Sequence, residues 1–163
     1  MGTSGGCQCG AVRYAFERAV REPHLCHCRM CQKAAGNYFM ALASVDRDDF
    51  RLTRGTIAHY ASSDLVRRGF CRECGTPLTF ESVDDDTLAV TLGSLDDPAA
   101  VAPAEQHGVE GRMPWFEALA QLPAESNEQA TGEWAKRLGA IASSNRQHPD
   151  RDTSAWPPPP PRG

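Results

Sequence analysis

The segment Cys26-His27-Cys28-Arg29-Met30-Cys31 carries three cysteines at the spacing C-x-C-x-x-C. Two further pairs, Cys7-Gln8-Cys9 and Cys71-Arg72-Glu73-Cys74, contain the other four of the seven cysteines in the chain. Thiols separated by one or two residues can bind one metal ion, and zinc accepts all-sulfur tetrahedral coordination. The cysteines therefore predict a zinc protein, in which metal binding adds to the stability of a small domain.

Seven thiols are one short of two four-sulfur sites, so the sequence predicts one closed site and one three-sulfur site with an open position. Cys26, Cys28 and Cys31 are close enough in sequence to hold one ion by themselves. The two pairs must then meet across the fold as a closed site formed by Cys7, Cys9, Cys71 and Cys74. A closed site is structural, whereas an open site can take part in chemistry.

The spacing leaves two alternatives open. Cys26 and Cys28 could instead share an ion with Cys71 and Cys74, although the larger loop closure disfavours this partition. The three-cysteine site could also be inert, with water, His24 or His27 as its fourth ligand. Because His27 alternates with two ligands, we expect its side chain to point away from the metal.

Length and composition restrict the class of protein. A chain of 163 residues fits one domain and a tail, and its net charge of −4 does not favour a nucleic-acid partner. No apolar stretch is long enough for a membrane span, and the first residues do not resemble a secretion signal. We therefore expect a cytoplasmic protein without a membrane or nucleic-acid partner, in which clustered thiols stay reduced.

Short alternating segments between turn signals predict a mainly β fold. Predicted strands are 12–16, 38–45, 50–52, 57–60, 66–70, 78–83 and 88–92, with a hairpin joining 50–52 to 57–60 through Arg54-Gly55. A helical turn from Met30 to Ala35 should end at Gly36. The acidic turn Asp84-Asp85-Asp86 should connect the last two strands.

The chain divides into a zinc-binding domain over residues 1–125, a helix over 126–143 and a disordered Pro-rich tail over 144–163. The helix is predicted from a capping box, Ser126 to Gln129, and from Trp134, Leu138 and Ile141 on one face. That face could pack on the domain or on a partner chain, so a homodimer is an open alternative.

Three stretches together resemble one known family. They are Gly6-Cys7-Gln8-Cys9-Gly10-Ala11-Val12-Arg13-Tyr14, Cys26-His27-Cys28-Arg29-Met30-Cys31-Gln32-Lys33 and Phe70-Cys71-Arg72-Glu73-Cys74-Gly75-Thr76-Pro77-Leu78. They resemble the glutathione-dependent formaldehyde-activating enzymes (GFA family), which include the centromere-protein-V-like domains. Residues 107–115 and Leu122-Pro123 are similar to the closing segment of that family. The resemblance covers about residues 4–125.

The resemblance implies a zinc-containing β-tent (Mss4-like) fold and two zinc ions per chain. It implies a structural zinc on Cys7, Cys9, Cys71 and Cys74 and a reactive zinc on Cys26, Cys28 and Cys31. It also implies a carbon–sulfur lyase of the S-(hydroxymethyl)glutathione synthase type, which joins glutathione or a related thiol to formaldehyde or another small aldehyde. Candidate substrate-binding residues are Lys33 and Arg112, for glutathione carboxylates, and His107 at the rim of the site.

Three rival functions belong to other classes or substrates. A non-catalytic zinc-stabilised binding module would use the same cysteines without turnover. A redox enzyme of the methionine-sulfoxide-reductase type would need a reactive cysteine beyond the metal ligands, and all seven belong to clusters. A lyase acting on a different thiol or aldehyde is the third, because the loops that set specificity cannot be assigned from sequence.

Overall fold

The computed structural model describes residues 2–156 and confirms the predicted mainly β architecture. The strands are β1 (Thr3–Gly6), β2 (Arg13–Phe16), β3 (Arg21–Cys26), β4 (Met40–Asp46), β5 (Arg51–Arg54), β6 (Ala58–Ala61), β7 (Val66–Phe70), β8 (Pro77–Ser82), β9 (Thr87–Thr91) and β10 (Glu105–His107). The α-helices are α1 (Arg29–Ala35) and α2 (Gly132–Ser144). Short 3-10 helices occupy Leu92–Ser94, Pro98–Ala100, Val109–Gly111, Phe116–Gln121 and Asn127–Gln129. Among these helices none is long and apolar enough to cross a bilayer.

The strands form two sheets. A three-stranded antiparallel sheet has the order β1-β2-β5, and a seven-stranded sheet has the order β10-β3-β4-β9-β8-β7-β6. Every pairing in the larger sheet is antiparallel except the one between β10 and β3. In that pairing His107 lies opposite Cys26, so the segment after Pro103 returns to the central cysteine cluster.

Strand β4 separates two regions of the core. Successive side chains of a strand point to opposite faces of its sheet. Ala43 and Val45 join the main core with Tyr14 and Phe16 of the three-stranded sheet. Met40 and Leu42 pack on the opposite face with Cys31, next to Cys26 and Cys28. The Cys7–Cys9 pair and the Cys71–Cys74 pair therefore belong to the main core. The trio of Cys26, Cys28 and Cys31 lies on the other face of the seven-stranded sheet.

The predicted turn of helix after Cys28 is confirmed as α1. The helix ends at Gly36, which has φ of 59° and donates its backbone N–H to carbonyls of the last turn. Only a residue without Cβ adopts this left-handed conformation readily. The predicted hairpin around the acidic turn is also present, since β8 and β9 pair with Thr79 opposite Val90.

The predicted hairpin between residues 50–52 and 57–60 is wrong. Strand β5 pairs with β2, with Leu52 opposite Tyr14, whereas β6 pairs with β7 in the other sheet. Gly55 still turns the chain, with φ of 69°, but a Cβ there would lie only 2.0 Å from the Ala11 carbonyl oxygen. The glycine thus permits close contact with the first cysteine loop, and the two strands diverge into different sheets.

The C-terminal helix is present but starts later than predicted. The Ser126 N–H donates to Gln129 Oε1 at 2.9 Å, and this contact caps a 3-10 turn rather than α2. No residue of α2 is buried, and Trp134 and Ile141 are exposed. The predicted apolar face therefore does not pack on the domain.

Residues 145–156 differ from the predicted disordered tail over 144–163, because they lie against the first cysteine loop. The His148 N–H donates to the Gln8 carbonyl, and Trp156 Nε1 donates to the Cys9 carbonyl, both at 2.7 Å. Asp152 pairs with the buried Arg13 at 2.8 Å. We call residues 145–156 the strap. The run of five consecutive prolines, residues 157–161, lies outside the described residues.

His148 is the strap residue that is buried against the first cysteine loop. Its side chain is buried, and its ring lies so close to Gly10 that a Cβ on Gly10 would be 2.1 Å from it. Nδ1 donates to the Pro149 carbonyl, so Nε2 accepts from Arg54 Nη1 at 3.2 Å. Burial, assisted by the charges of Arg13 and Arg54, lowers the pKa of His148 and keeps the ring neutral.

We predict that His148→Ala lowers the free energy of unfolding by about 2 kcal/mol, because it leaves a cavity and an unpaired Arg54 donor. Urea denaturation of the zinc-loaded protein measures this change. The matched control is Arg151→Ala, an exposed strap residue whose loss should change stability by less than about 0.5 kcal/mol. Equal effects of the two substitutions would show that the strap is not docked in solution.

A second buried charge cluster surrounds Glu81 on β8. Its side chain is 6% exposed and accepts from Arg47 and Arg67, from His59 Nε2 at 2.9 Å and from the Thr79 hydroxyl at 2.9 Å. Burial alone would raise the pKa of Glu81, but these four donors outweigh it and lower the pKa from 4.5 to about 2. The carboxylate therefore joins β6, β7 and β8 to the loop after β4.

Because the pKa of Glu81 is lower in the folded state, its contribution is complete above about pH 4.5 and is lost as the pH falls towards 2. We predict that Glu81→Gln lowers the free energy of unfolding at pH 7 by roughly 2 kcal/mol. This value is smaller than the pKa shift alone would give, because solvent screens the half-exposed partners. Urea titrations between pH 7 and 2.5 should show the difference from wild type shrinking over that window. The exposed Glu125→Gln is the control, and a pH-independent difference would contradict the assignment.

Candidate functional site

The sulfur atoms of four cysteines from two distant parts of the chain lie close together in the main core. Cys7, Cys9, Cys71 and Cys74 have all their Sγ atoms within 4.8 Å of one another. Cys7 Sγ lies 3.6 Å from Cys9 Sγ, which lies 3.9 Å from Cys71 Sγ. Four sulfurs bound tetrahedrally at about 2.3 Å from a zinc ion are about 3.8 Å apart. The four-cysteine cluster therefore has a spacing that suits a tetrahedral zinc ion.

Backbone amides and hydroxyl groups surround this cluster. The Val12 N–H donates to Cys7 Sγ at 3.2 Å, and Cys74 Sγ lies 3.1 Å from the Thr76 hydroxyl. Burial raises the pKa of Cys9 and Cys71, whereas Thr76 and nearby amides outweigh burial and lower the pKa of Cys74 to about 6. Such mixed shifts are expected where several thiolates crowd together, and a divalent cation would stabilise all of them.

The central trio forms a second cluster. Cys26, Cys28 and Cys31 also have their Sγ atoms within 4.8 Å of one another, and no histidine or carboxylate joins this group in residues 2–156. Cys26 ends β3, Cys28 caps α1 and Cys31 lies in the first turn of that helix. The alternative partition of Cys26 and Cys28 with Cys71 and Cys74 is therefore not the one that the fold adopts.

The sulfurs of the three-cysteine cluster differ in environment. The Cys31 N–H donates to Cys28 Sγ at 3.4 Å, and this bond with those to the neighbouring thiols outweighs burial and lowers the pKa of Cys28. Burial raises the pKa of Cys31, although Arg68 opposes the shift. All three are thiol donors at a spacing that suits a soft divalent cation, so this cluster also fits zinc.

A cavity of about 280 Å³ borders the three-cysteine cluster on the outer face of the seven-stranded sheet. Cys26 and Cys31 form part of its wall, and its other lining side chains include apolar, hydroxyl and imidazole groups. These are His24, Leu42, Ser44, Phe80, Ser82, Asp85, Thr87, Leu88, Ala89 and His107. A second cavity, of about 200 Å³, touches only Cys7 among the clustered cysteines and is closed on one side by residues 147–150.

Two imidazole rings stand together at the cavity. His24 and His107 are stacked with ring centroids 4.4 Å apart, because β3 and β10 run parallel and bring them side by side. His24 Nδ1 is 2.8 Å from the Glu22 carbonyl, and His107 Nε2 is 3.0 Å from Glu105 Oε2. The rings thus offer groups that can hold or transfer a proton next to Cys26.

The three residues predicted from sequence to bind substrate do not lie together in the structure. His107 lines the cavity, and its role at the rim of a substrate site stays a prediction. Lys33 is exposed on α1, and Arg112 pairs with Glu117 at 3.3 Å; neither lines this cavity. His27 points away from the sulfurs, as its alternation with the ligands predicted. Its ring packs on Phe116, and its Nε2 lies 2.9 Å from Gln106 Oε1.

Arg68 contacts the site and was not among the sequence candidates. Its side chain is buried on β7, and Nη2 donates to Cys31 Sγ at 3.5 Å. Its neighbour Arg67 has the same charge but faces Glu81 on the opposite side of the sheet. The two arginines are indistinguishable in the sequence, because only the register of β7 on β8 decides which one reaches the cysteines.

Known proteins resemble the chain at two levels. A family model described as glutathione-dependent formaldehyde-activating enzyme matches residues 2–110, so the segment 111–125 of the expected resemblance lies outside the match. A Rhodobacter sphaeroides protein of known crystal structure has a TM-score of 0.53 and 22% identity, covering 63% of this chain and 98% of that chain. This likeness shows a shared fold.

Two curated proteins are similar in sequence. An uncharacterized lyase of Schizosaccharomyces pombe is 33% identical over 78 residues, which are 47% of this chain and 55% of that protein. A Podospora anserina protein, named provisionally as a glutathione-dependent formaldehyde-activating enzyme, is 32% identical over 74 residues, or 44% of this chain and 35% of that protein. The matched regions thus span about half of the first relative and a third of the second. Since the family model covers more than half of the chain and includes both cysteine clusters, the protein belongs to the glutathione-dependent formaldehyde-activating enzyme family.

Proposed function

We propose that the protein is a zinc-dependent carbon–sulfur lyase that joins a thiol, glutathione or a close relative, to formaldehyde or another small aldehyde. One observation carries the proposal: the cluster with only three protein thiols is also the cluster that borders the 280 Å³ cavity. The family description and the names of the two relatives, one a lyase, support the same reaction class.

The two clusters are proposed to have different roles. Cys7, Cys9, Cys71 and Cys74 would hold a structural zinc, since four protein thiols complete a tetrahedron. Cys26, Cys28 and Cys31 would hold the reactive zinc, which leaves one position for a ligand from solution. When bound there, zinc supplies a site at which a thiol loses its proton or a carbonyl oxygen is polarised.

The reaction is an addition without redox change. The thiol sulfur forms a bond to the aldehyde carbon, the C=O π bond breaks, and the thiol proton finally resides on the new hydroxyl oxygen. The reverse reaction cleaves the carbon–sulfur bond and returns the aldehyde. No oxidant or reductant is required, which agrees with the absence of a cysteine outside the two clusters.

The residues at the cavity suit this chemistry. His24 and His107 can accept the thiol proton and return a proton to the oxygen, and their stacking keeps both rings at the mouth near Cys26. Leu42, Phe80 and Ala89 form an apolar wall that reduces the water around the reacting carbon. Ser44, Ser82 and Thr87 provide hydroxyl groups for hydrogen bonds to a polar substrate.

The proposed metal roles predict that wild type binds about two zinc ions per chain and that Cys28→Ser loses about one while staying folded. Cys74→Ser should lose the other ion and also lower the melting temperature strongly, because the four-cysteine cluster joins distant parts of the main core. Elemental analysis and thermal denaturation of both variants measure the outcome. Equal destabilisation by the two substitutions would contradict the division of roles.

The proposed reaction predicts that zinc-loaded wild type accelerates adduct formation between glutathione and formaldehyde by roughly tenfold or more over the spontaneous rate. Exchange NMR with ¹³C-formaldehyde at equilibrium measures the rate in both directions. Cys28→Ser should return the rate to the spontaneous value, whereas Lys136→Ala, an exposed residue of α2 with no proposed role in binding, should not. If no thiol and aldehyde pair is accelerated by protein with both metals bound, the non-catalytic binding module becomes the better description.

A further inference from the structure

Arg68 is a buried cation in the wall behind the three-cysteine cluster. Only 8% of its surface is exposed, and each part of its guanidinium has a partner. Nε donates to the Ser62 hydroxyl at 3.2 Å, Nη1 contacts Met40 Sδ at 3.6 Å and Nη2 donates to Cys31 Sγ at 3.5 Å. The guanidinium carbon lies 5.0 Å from the centre of the Phe80 ring.

None of these partners is a carboxylate. Arg13, the other arginine that is buried in the described residues, pairs with Asp96 and Asp152 instead. Glu81, the buried carboxylate nearest in sequence, is satisfied by Arg47, Arg67 and His59 on the opposite face of the sheet. A buried charge is costly unless an opposite charge compensates it. The group in contact with Arg68 that can carry a negative charge is Cys31.

The negative charge of the metal-loaded cluster can balance the positive charge of Arg68, which has no carboxylate partner. Three thiolates carry −3 and one zinc ion carries +2, so the loaded three-cysteine cluster has a net charge of −1. An incoming thiolate at the open position would make it −2. The guanidinium charge of Arg68, next to Cys31, then balances the net charge of −1. It also reduces the electrostatic repulsion between the cluster and an incoming thiolate.

We propose that Arg68 is the counter-ion of the three-cysteine metal site and a positioning residue for Cys31, rather than a residue that contacts substrate. The charge of Arg68 strengthens metal retention by this cluster and has no such role at the four-cysteine cluster, which contacts other elements. The proposal depends on metal occupancy of the trio but not on which thiol or aldehyde reacts. Its failure is therefore distinguishable from failure of the proposed reaction.

The first test compares Arg68→Gln, which removes the charge, with Arg68→Lys, which keeps it. Competition with a chromophoric chelator measures zinc affinity at each site, and cobalt substitution reports the number of bound thiolates through its sulfur-to-metal absorption bands. Arg68→Gln should weaken the three-cysteine site by roughly 10- to 100-fold and leave the four-cysteine site unchanged. Arg68→Lys should lose clearly less affinity, because the positive charge remains.

The matched control is Arg67→Gln, the same change one residue away on the opposite face of β7. It should disturb the Glu81 cluster without changing metal affinity at the trio. Three results would overturn the proposal: unchanged zinc affinity in Arg68→Gln, an equal loss at both metal sites, or a loss in Arg68→Lys as large as that in Arg68→Gln.

A double-mutant cycle with Cys31→Ser keeps the test decisive if Arg68→Gln folds poorly. Cys31→Ser removes the thiolate that balances Arg68 and leaves a buried, uncompensated cation. Adding Arg68→Gln should then cost less stability than it does in wild type, or should restore folding. The same cost in both backgrounds, or failure to fold in both, would show that packing rather than charge makes Arg68 important.

Discussion

The fold depends on one constraint: four sulfurs from opposite parts of the chain must lie at the separation of a tetrahedron. Cys7 and Cys9 lie in the loop between β1 and β2, and Cys71 and Cys74 lie in the turn between β7 and β8. When these pairs share an ion, the three-stranded sheet is tied to the seven-stranded sheet. The buried sulfurs of Cys7 and Cys71 also belong to the main apolar core, so a bound metal would join the same two sheets that core packing holds together. This coupling suits a small domain, where burial alone gives limited stability.

The contrast between the two cysteine clusters follows from the alternation of side chains along β4. Ala43 and Val45 fill the core between the sheets, and Met40 and Leu42 support the trio on the outer face. The four-cysteine cluster therefore lies among elements that cannot move without opening the core. The trio is contacted by Arg68 of β7 and by the turn after β10, and a cavity borders Cys26 and Cys31. The proposed exchange of a ligand with solution is therefore assigned to the outer face of the seven-stranded sheet.

Local sequence patterns predicted most elements and both sets of cysteines, because metal spacing, glycine stops and two-residue alternation act over a few positions. Gly36 ended α1 as expected, and residues 78–92 formed the expected hairpin around the acidic turn. The errors concern partners distant in sequence. Arg54-Gly55 has the composition of a hairpin, yet the edge of β2 was the better partner for β5. Nothing local indicated that His148 would fill the space over Gly10, since that contact joins positions at opposite ends of the chain.

Prediction of the site residues was limited in the same way, because contacts between residues distant in sequence decide which side chains reach the site. The alternation of His27 with Cys26 and Cys28 was enough to predict that its ring faces away, since neighbouring side chains diverge. Arg68 required knowledge of register, because Arg67 carries the same charge next to it and only the pairing of Arg68 with Phe80 turns its guanidinium towards Cys31. His24 was considered only as a fourth ligand, and its stacking on His107 depends on the parallel return of β10. Tertiary pairing, rather than residue type, selects among chemically equivalent candidates.

The described residues that line the cavity suit the proposed addition but include no cation that could bind the carboxylates of a large thiol such as glutathione. Within residues 2–156, two imidazoles and Asp85 are its titratable groups besides the cysteines, and no lysine or arginine lines it. Glutathione carries two carboxylates, which cationic side chains would normally bind. Under the proposed function, a cation that binds the glutathione carboxylates would therefore lie outside this cavity.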